Sequence, residues 1–301
     1  MIVTASAPVR VDLAGAWTDC SPFSDTFGGA TLTIAVAPRV FGTLETRENR
    51  DAIIEPGEGV TVSYHSPVPT GAGLGSSAAM NVVWLAMVRR ADTGSLAEKL
   101  KIAELAFKAE QMLGIMGGRQ DQYSSACGGV RLYRFTAEGT EVVDPPVPDD
   151  CKRGVLERLV LLYTGRSRFS SKIHEDVWAR FAAGDRDVLS ALFELRASAE
   201  EAACVLSEGR LDRLGEILSL QTRLMLDLSQ ATYTPGLDEL VGKAGERVLG
   251  AKPTGAGGGG CVLLLCREPE DRSAVEQLSR ERGWGPIPVT LDEVGLTVEV
   301  G

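Results

Sequence analysis

Positive charge is in short supply in this chain: 31 Lys and Arg stand against 41 Asp and Glu, a formal net charge of −10. Nucleic acids and anionic membranes need a basic patch to hold them, so neither is expected as a partner. Only two histidines are present, His65 and His174, and the six cysteines (Cys20, Cys127, Cys151, Cys204, Cys261, Cys266) include no Cys-x-x-Cys pair. That is poor material for a zinc site or a disulfide framework, and buried free thiols are the expectation. Long apolar runs are missing too. The longest, at residues 82–88 and 261–266, are too short to cross a bilayer, and residues 1–8 lack the basic-then-apolar pattern of a secretory signal. The expected location is cytoplasmic.

What the chain does have is an ordinary globular composition, 44% hydrophobic and 24% charged, over 301 residues. That is length enough to bury a core without staples, in one large or two modest domains. The proline-rich stretch Pro145-Pro146-Val147-Pro148-Asp149-Asp150 marks the expected boundary, giving units 1–150 and 151–301. Short β-type segments at 2–7, 9–14, 31–36, 42–46 and 60–64 fill the opening. Helical spacing follows. One helix shows Met80, Val83, Trp84, Met87 and Val88 on one side, and a second, over 96–113, shows Leu100, Ala103, Leu105, Ala106 and Leu113. A strand pair near 130–135 and 141–143 precedes the boundary. Beyond it, a strand at 159–163, helices at 170–183, 187–207, 211–229 and 237–248, a glycine loop, a strand at 261–266, a helix at 274–282 and a closing strand at 296–300 read as an α+β sandwich.

Two segments concentrate the chemistry. In Pro69-Thr70-Gly71-Ala72-Gly73-Leu74-Gly75-Ser76-Ser77-Ala78-Ala79 a glycine-rich turn runs straight into a helix, where backbone N–H groups and the helix dipole can hold a phosphate. Ser76 and Ser77 could cap that helix, bind a phosphate oxygen or ligate Mg²⁺. A Walker loop needs Lys where Ser76 stands, and Pro67 and Pro69 interrupt the strand that a dinucleotide fingerprint requires. An ordinary glycine loop with a serine cap stays open. In Gly118-Arg119-Gln120-Asp121-Gln122 one carboxylate sits in a glycine-flanked bend within reach of a substrate hydroxyl. Asp121 could equally cap a helix starting at Gln122.

The first of these segments resembles the ATP-binding motif of the galactokinase, homoserine kinase, mevalonate kinase and phosphomevalonate kinase (GHMP) family. Ala7-Pro8-Val9-Arg10-Val11-Asp12-Leu13-Ala14-Gly15-Ala16-Trp17-Thr18-Asp19 is similar to its N-terminal substrate motif. Lys252-Pro253-Thr254-Gly255-Ala256-Gly257-Gly258-Gly259-Gly260 is similar to its C-terminal glycine loop. The resemblance implies a two-lobed α+β fold with a mixed N-terminal lobe (ribosomal protein S5 domain 2-like) and a ferredoxin-like C-terminal sandwich. It implies ATP and Mg²⁺ as cofactors. It implies Asp121 as the catalytic carboxylate with Arg10 beside it, and nucleotide binding by Pro69, Gly71, Gly73, Leu74, Gly75, Ser76 and Ser77. Glu110 with Ser76 or Ser77 becomes the metal set, although a solvated helix-surface glutamate is the plainer reading of Glu110. Substrate binding falls to Asp12, Trp17, Asp19, Gly28, Gly29, Gly255, Gly257 and Gly258. The galactokinase-like pattern has Asn where this chain has Asp12. Trp17 could stack on a sugar or pack in a core, and the last glycine loop could bind an anion or simply pack closely.

Within the family the chain resembles the fucokinase and heptose-phosphate 1-kinase branch, through residues 10–19, Phe27-Gly28-Gly29-Ala30, the Asp121 bend and Tyr163-Thr164-Gly165-Arg166-Ser167-Arg168. The implied reaction is transfer of the γ-phosphate of ATP to the anomeric hydroxyl of L-fucose or D-glycero-D-manno-heptose 7-phosphate. Galactokinases carry Glu-His where Ala16-Trp17 stand, and alanine cannot accept that sugar hydrogen bond, so galactose is disfavoured. Residues 166–172 could receive a substrate phosphate or be a solvated basic turn. Alternatives are a sugar- and nucleotide-binding regulator without turnover, and a kinase for mevalonate, homoserine or a similar alcohol. No sequence signal bears on oligomeric state, a homodimer included.

Overall fold

Two long antiparallel strands, β1 (Ile2–Ala14) and β2 (Gly29–Thr46), organise the computed structural model, which describes residues 1–46, 59–69, 71–167 and 171–301. Burial alternates along β1 as far as Ala7 and then becomes continuous on both faces. The reason lies in what covers it. Val3, Ala5 and Ala7 pack with Val82, Val83 and Met87 of α2 (Ser76–Arg89) and Ile102 of α3 (Leu96–Met112). Val9, Val11 and Leu13 join a second core with the helices and sheet of the other lobe.

Helix α1 (Ser21–Phe27) links the two strands, and β3 (Val60–His65), β4 (Val130–Phe135) and β5 (Thr140–Val143) complete this side. Among the described residues the first sheet runs β11-β1-β2-β4-β5, where β11 is Thr297–Val300, with β3 and β10 (Thr290–Leu291) also paired to β2. Helix α4 (Gln120–Cys127) lies between α3 and β4, and α5 (Asp149–Arg158) leads to β6 (Leu159–Tyr163). Helices α6 (Ser171–Ala182), α7 (Arg186–Ser207), α8 (Leu211–Leu228) and α9 (Leu237–Ala244) follow, then β7 (Val248–Pro253), β8 (Cys261–Cys266), α10 (Asp271–Glu281) and β9 (Gly285–Ile287).

The second sheet is antiparallel, in the order β7-β8-β6-β9. Numbered along the chain, that is 2-3-1-4 with helical crossovers after the first and third strands, the ferredoxin-like arrangement. Asp185 caps α7 by accepting from the N–H groups of Asp187 and Val188. Helix α8 lies on β7 at a glycine pair: a Cβ on Gly250 would fall 1.8 Å from the Gly215 carbonyl oxygen.

Three expectations change. The unit 151–301 does not stay together, because β10 (Thr290–Leu291) pairs with β2 and β11 (Thr297–Val300) pairs with β1 in the first sheet. An edge strand left without a partner exposes its backbone groups, and the chain's last strand covers that edge of β1. On α2 the inward face is Ala78, Ala79, Val82, Val83, Ala86 and Met87, whereas Met80, Trp84 and Val88 are exposed. Small residues let the helix approach β1 and β2 closely, so the bulky stripe was a poor guide. On α3, Ile102 and Phe107 are buried, while Leu105 and Leu113 are exposed. Helices α1 and α5 and strand β7 lay outside the sequence reading, and α4 entered it only as the alternative helix from Gln122.

Candidate active site

Where the ends of β1, α2 and α4 meet, a cavity of about 290 Å³ opens. The turn before α2 builds one wall. Gly71, Gly73 and Gly75 all have φ between 72° and 76°, which an L side chain rarely adopts, and Gly75 is the N-cap of α2. Among the described residues no side chain caps that helix, and Ser76, Ser77 and Ala78 line the cavity. The first N–H groups of α2 therefore face open space with the positive end of the dipole behind them.

Asp121 forms the opposite wall. It lies in the first turn of α4, whose N-cap, Arg119, makes no side-chain cap bond. The capping role is not what its carboxylate does. Asp121 Oδ1 accepts from Arg10 Nε at 2.8 Å and lies 2.6 Å from Arg10 Nη2. Arg10 Nη1 donates to the Gly73 carbonyl at 2.6 Å, tying the glycine turn into the same group. Burial works against the Arg10 charge, but Asp121 and Asp12 more than offset it, and its pKa rises above the ordinary value. A Cβ on Gly75 would sit 3.2 Å from Asp121 Cγ and Oδ2. Glycine there keeps the carboxylate and the helix N-terminus against one another.

Glu110 of α3 is buried, contrary to a solvated surface reading, and lines the same cavity. Asn81 Nδ2 donates to its Oε1 at 2.6 Å and Gln122 Nε2 to its Oε2 at 2.8 Å. Burial raises its pKa, the two hydrogen bonds oppose the rise, and the Asp121 charge adds to it. Among the described residues no cluster of three His, Cys, Asp or Glu could cage a metal. One carboxylate with serine hydroxyls suits Mg²⁺, which keeps several waters and takes phosphate oxygens as ligands. The unpartnered Gln122 Oε1 leaves one further acceptor at this wall.

Asp19 lies on the other side of Asp121. Its Oδ2 accepts from the Gln120 N–H at 3.0 Å and its Oδ1 from Gln120 Nε2 at 3.3 Å. Burial pushes its pKa up to about 7; the Gln120 bond and Arg10 pull it down and Asp121 pushes it up. Gly118 is required here, since a Cβ would come 1.8 Å from Asp19 Oδ2. Trp17 is 3% exposed at φ 78°, packed against His174 (ring centroids 4.5 Å) and Trp178 (6.0 Å). It is a core residue whose edge reaches the cavity.

Other expected residues lie elsewhere. Asp12 is fully buried with both carboxylate oxygens engaged: Oδ2 takes Lys252 Nζ and Oδ1 takes the Gly255 N–H at 3.0 Å. Its bonds are internal, and it does not line the cavity. Gly28 and Gly29 stand outside the cavity; a Cβ on Gly29 would meet the Thr18 carbonyl oxygen at 1.8 Å. Gly255 lines the cavity, but Gly257 and Gly258 do not. Their missing Cβ atoms would lie 2.6 Å from Thr232 O and 2.5 Å from Ala231 O, and the Gly258 N–H donates to Thr232 O at 2.6 Å. Close packing, the plainer alternative, accounts for them. Leu74 is core, and Pro69 lines a separate apolar groove with Pro67, Tyr163 and Pro286. Of the basic turn 166–172, residues 168–170 lie outside those described, as does Thr70. Gln120, Gln122, Asn81, His174 and Lys252 had no expected role. The two glutamines flank Asp121 and Lys252 opens the last glycine segment, visible signals, whereas Asn81 and His174 lie within expected helices without a motif of their own.

The family model described as GHMP kinases N terminal domain matches residues 39–129, and that described as GHMP kinases C terminal matches residues 199–283. A mevalonate kinase of Thermococcus sibiricus is 31% identical over 263 residues, covering 84% of this chain and 74% of that enzyme. An L-fucokinase/L-fucose-1-P guanylyltransferase of Bacteroides fragilis is 22% identical over 99% of this chain, which spans only 38% of that protein's length. Among solved structures, a D-glycero-D-manno-heptose 1-phosphate kinase from Bacteriodes thetaiotaomicron superposes with a TM-score of 0.77 at 19% identity, covering 99% of each chain, a likeness of fold. With both family models matched in order, and this lobe arrangement around one cavity, the chain belongs to the GHMP kinases.

Proposed function

We propose that this chain is an ATP- and Mg²⁺-dependent kinase that phosphorylates a sugar hydroxyl, with Asp121 as the residue that receives the acceptor. The observation that carries this reading is the facing of Asp121 and the uncapped N-terminus of α2 across Gly75. Backbone N–H groups and the α2 dipole hold the phosphate tail, and Ser76, Ser77 and Glu110 hold the cation. A cation at that position would supply charge neutralisation for the transferring phosphate. Arg10 occupies Asp121 Oδ1 with two N–H groups, which leaves Oδ2 to accept a hydrogen bond from the acceptor hydroxyl. A carboxylate so held is fixed in orientation, suited to aligning the hydroxyl and taking its proton late, as a loose phosphoryl transfer requires.

Asp19, Gln120 and the edge of Trp17 line the acceptor side and suit a polyhydroxylated ligand better than an apolar alcohol. We assign the anomeric hydroxyl of L-fucose or D-glycero-D-manno-heptose 7-phosphate as the leading acceptor. Mevalonate is the second reading, favoured by the 31% identity to the Thermococcus enzyme. The test is ADP release with ATP, Mg²⁺ and a panel of L-fucose, heptose 7-phosphate, galactose and mevalonate. Sugar-dependent ADP supports the proposal, mevalonate alone supports the second reading, and binding without ADP from any member points to a regulator.

A further inference from the structure

We propose that Lys252 is a positioning residue: by neutralising Asp12 it keeps Arg10 on Asp121. In its consequence for rate this rests on the kinase reading above, whereas its geometry does not. Lys252 lies on β7 of the second sheet and is fully buried, and its Nζ donates to the Asp12 carbonyl at 2.9 Å and to Asp12 Oδ2. Asp12, on β1, is fully buried as well, and its Oδ1 stands 3.9 Å from Arg10 Nη1. Arg10 in turn gives Nε and Nη2 to Asp121. The four groups form a row of alternating sign, from Lys252 through Asp12 and Arg10 to Asp121 at the cavity wall.

The charged groups around the row come from several elements. Asp121 faces Arg10 from β1, Asp19 from the turn after it and Glu110 from α3; Lys252 faces Asp12 and Arg10. A buried carboxylate stripped of its cation is strongly unfavourable, and it takes whatever cation can reach it. For Asp12 without Lys252 that cation is Arg10. A movement of about 1 Å would bring the guanidinium into full contact with Asp12, at the expense of its bonds to Asp121. Lys252 removes that competition. A staple that merely joins the two lobes would leave the Arg10–Asp121 bonds in place when Lys252 is removed.

The experiment compares Lys252→Met, Asp12→Asn and the double variant in the full chain, with folding followed by thermal melting. Lys252→Met is expected to lower kcat about 10- to 100-fold while moving the KM for ATP less than about 3-fold, as misplacement of a reacting group does. The double variant, with neither charge, is expected to recover kcat to within about 3-fold of the parent. The second readout is the Arg10 Nε–Hε resonance, assigned by its loss in Arg10→Lys. In Lys252→Met it should move to its position in Asp121→Asn and return in the double variant. A folded Lys252→Met with unchanged kcat and resonance, or a folded double variant without recovery, would overturn the proposal. Should Lys252→Met not fold, Asp12→Asn decides: the resonance should stay in place, and its movement to the Asp121→Asn position would overturn the idea. Should the parent release no ADP with any acceptor, the kinase reading falls and the resonance alone judges Lys252.

Discussion

The two glycine-rich turns, at residues 71–75 and 255–260, look alike in sequence and are used in opposite ways. In the first, Gly75 stands against a side chain that lines the cavity, 3.2 Å from where its Cβ would be, and the helix it opens is left without a cap. In the second, Gly257, Gly258 and Gly260 let backbone pack on backbone, with would-be contacts of 2.5 to 2.7 Å to the carbonyl oxygens of Thr232, Ala231 and Ala72. At Gly75 the missing Cβ leaves room beside a side chain that lines the cavity, whereas at Gly257, Gly258 and Gly260 it leaves room for backbone. The carboxylates nearby divide in the same way. Asp12, which accepts from the Gly255 N–H of the second turn, has its charge met by Lys252, whereas Asp19, which lines the cavity, has no lysine or arginine in bonding contact among the described residues.

The contrast is tested most severely at Asp121. Replacing it with Asn is expected to lower turnover by roughly 10² to 10⁴ fold with ATP binding nearly intact, measured by steady-state kinetics and nucleotide titration. Full activity would remove the ligand-facing side of the comparison.

Asp19 provides the next effect. Folding raises its carboxyl from 3.8 to about 7, chiefly by burial, so the native state favours the protonated form. The associated stability is complete below about pH 4 and is lost as pH rises through about 7, an effect of at most roughly 4 kcal/mol. Melting curves should show this decline in the parent, and Asp19→Asn should lack it. Identical pH profiles would place Asp19 with the compensated carboxylates.

Glycine substitutions separate the two turns directly. Gly258→Ala forces a Cβ 2.5 Å from a carbonyl oxygen at φ 77° and is expected to cost on the order of 3 kcal/mol of stability, read by denaturant titration. Gly75→Ala is expected to show its larger loss in kcat, since its Cβ presses on Asp121. The reverse pattern would break the comparison. The smallest effect is expected at Glu110, where Gln should raise the Mg²⁺ concentration needed for half-maximal rate about 10-fold with little change in melting temperature.

Gly75, Ser76, Ser77 and Asp121 stood out in the sequence because they sit in glycine-bearing segments, Arg10, Asp19 and Glu110 because their segments resemble the family's motifs, and all seven line one cavity. Asp12 was misread for a physical reason. Arg10, two residues along the strand, lines the cavity, but the charge partner of Asp12 lies 240 positions away on another sheet. Gly28, Gly29, Gly257 and Gly258 were misread because a glycine's absence of a side chain does not say what fills the space. The inward face of α2 was misread because tight packing on β1 selects alanine, while the bulkier Met80 and Trp84 face outward.

Local order, the ends of most helices and strands, and the identity of the groups that carry charge were determined by the sequence alone, because they depend on neighbours within a turn or two. Which carboxylates stay available and which are neutralised was decided by the tertiary structure, because burial and ion pairing depend on segments brought together from both lobes. The return of the last strand to β1 has the same origin: a long strand edge needs a partner, and only the folded chain supplies one.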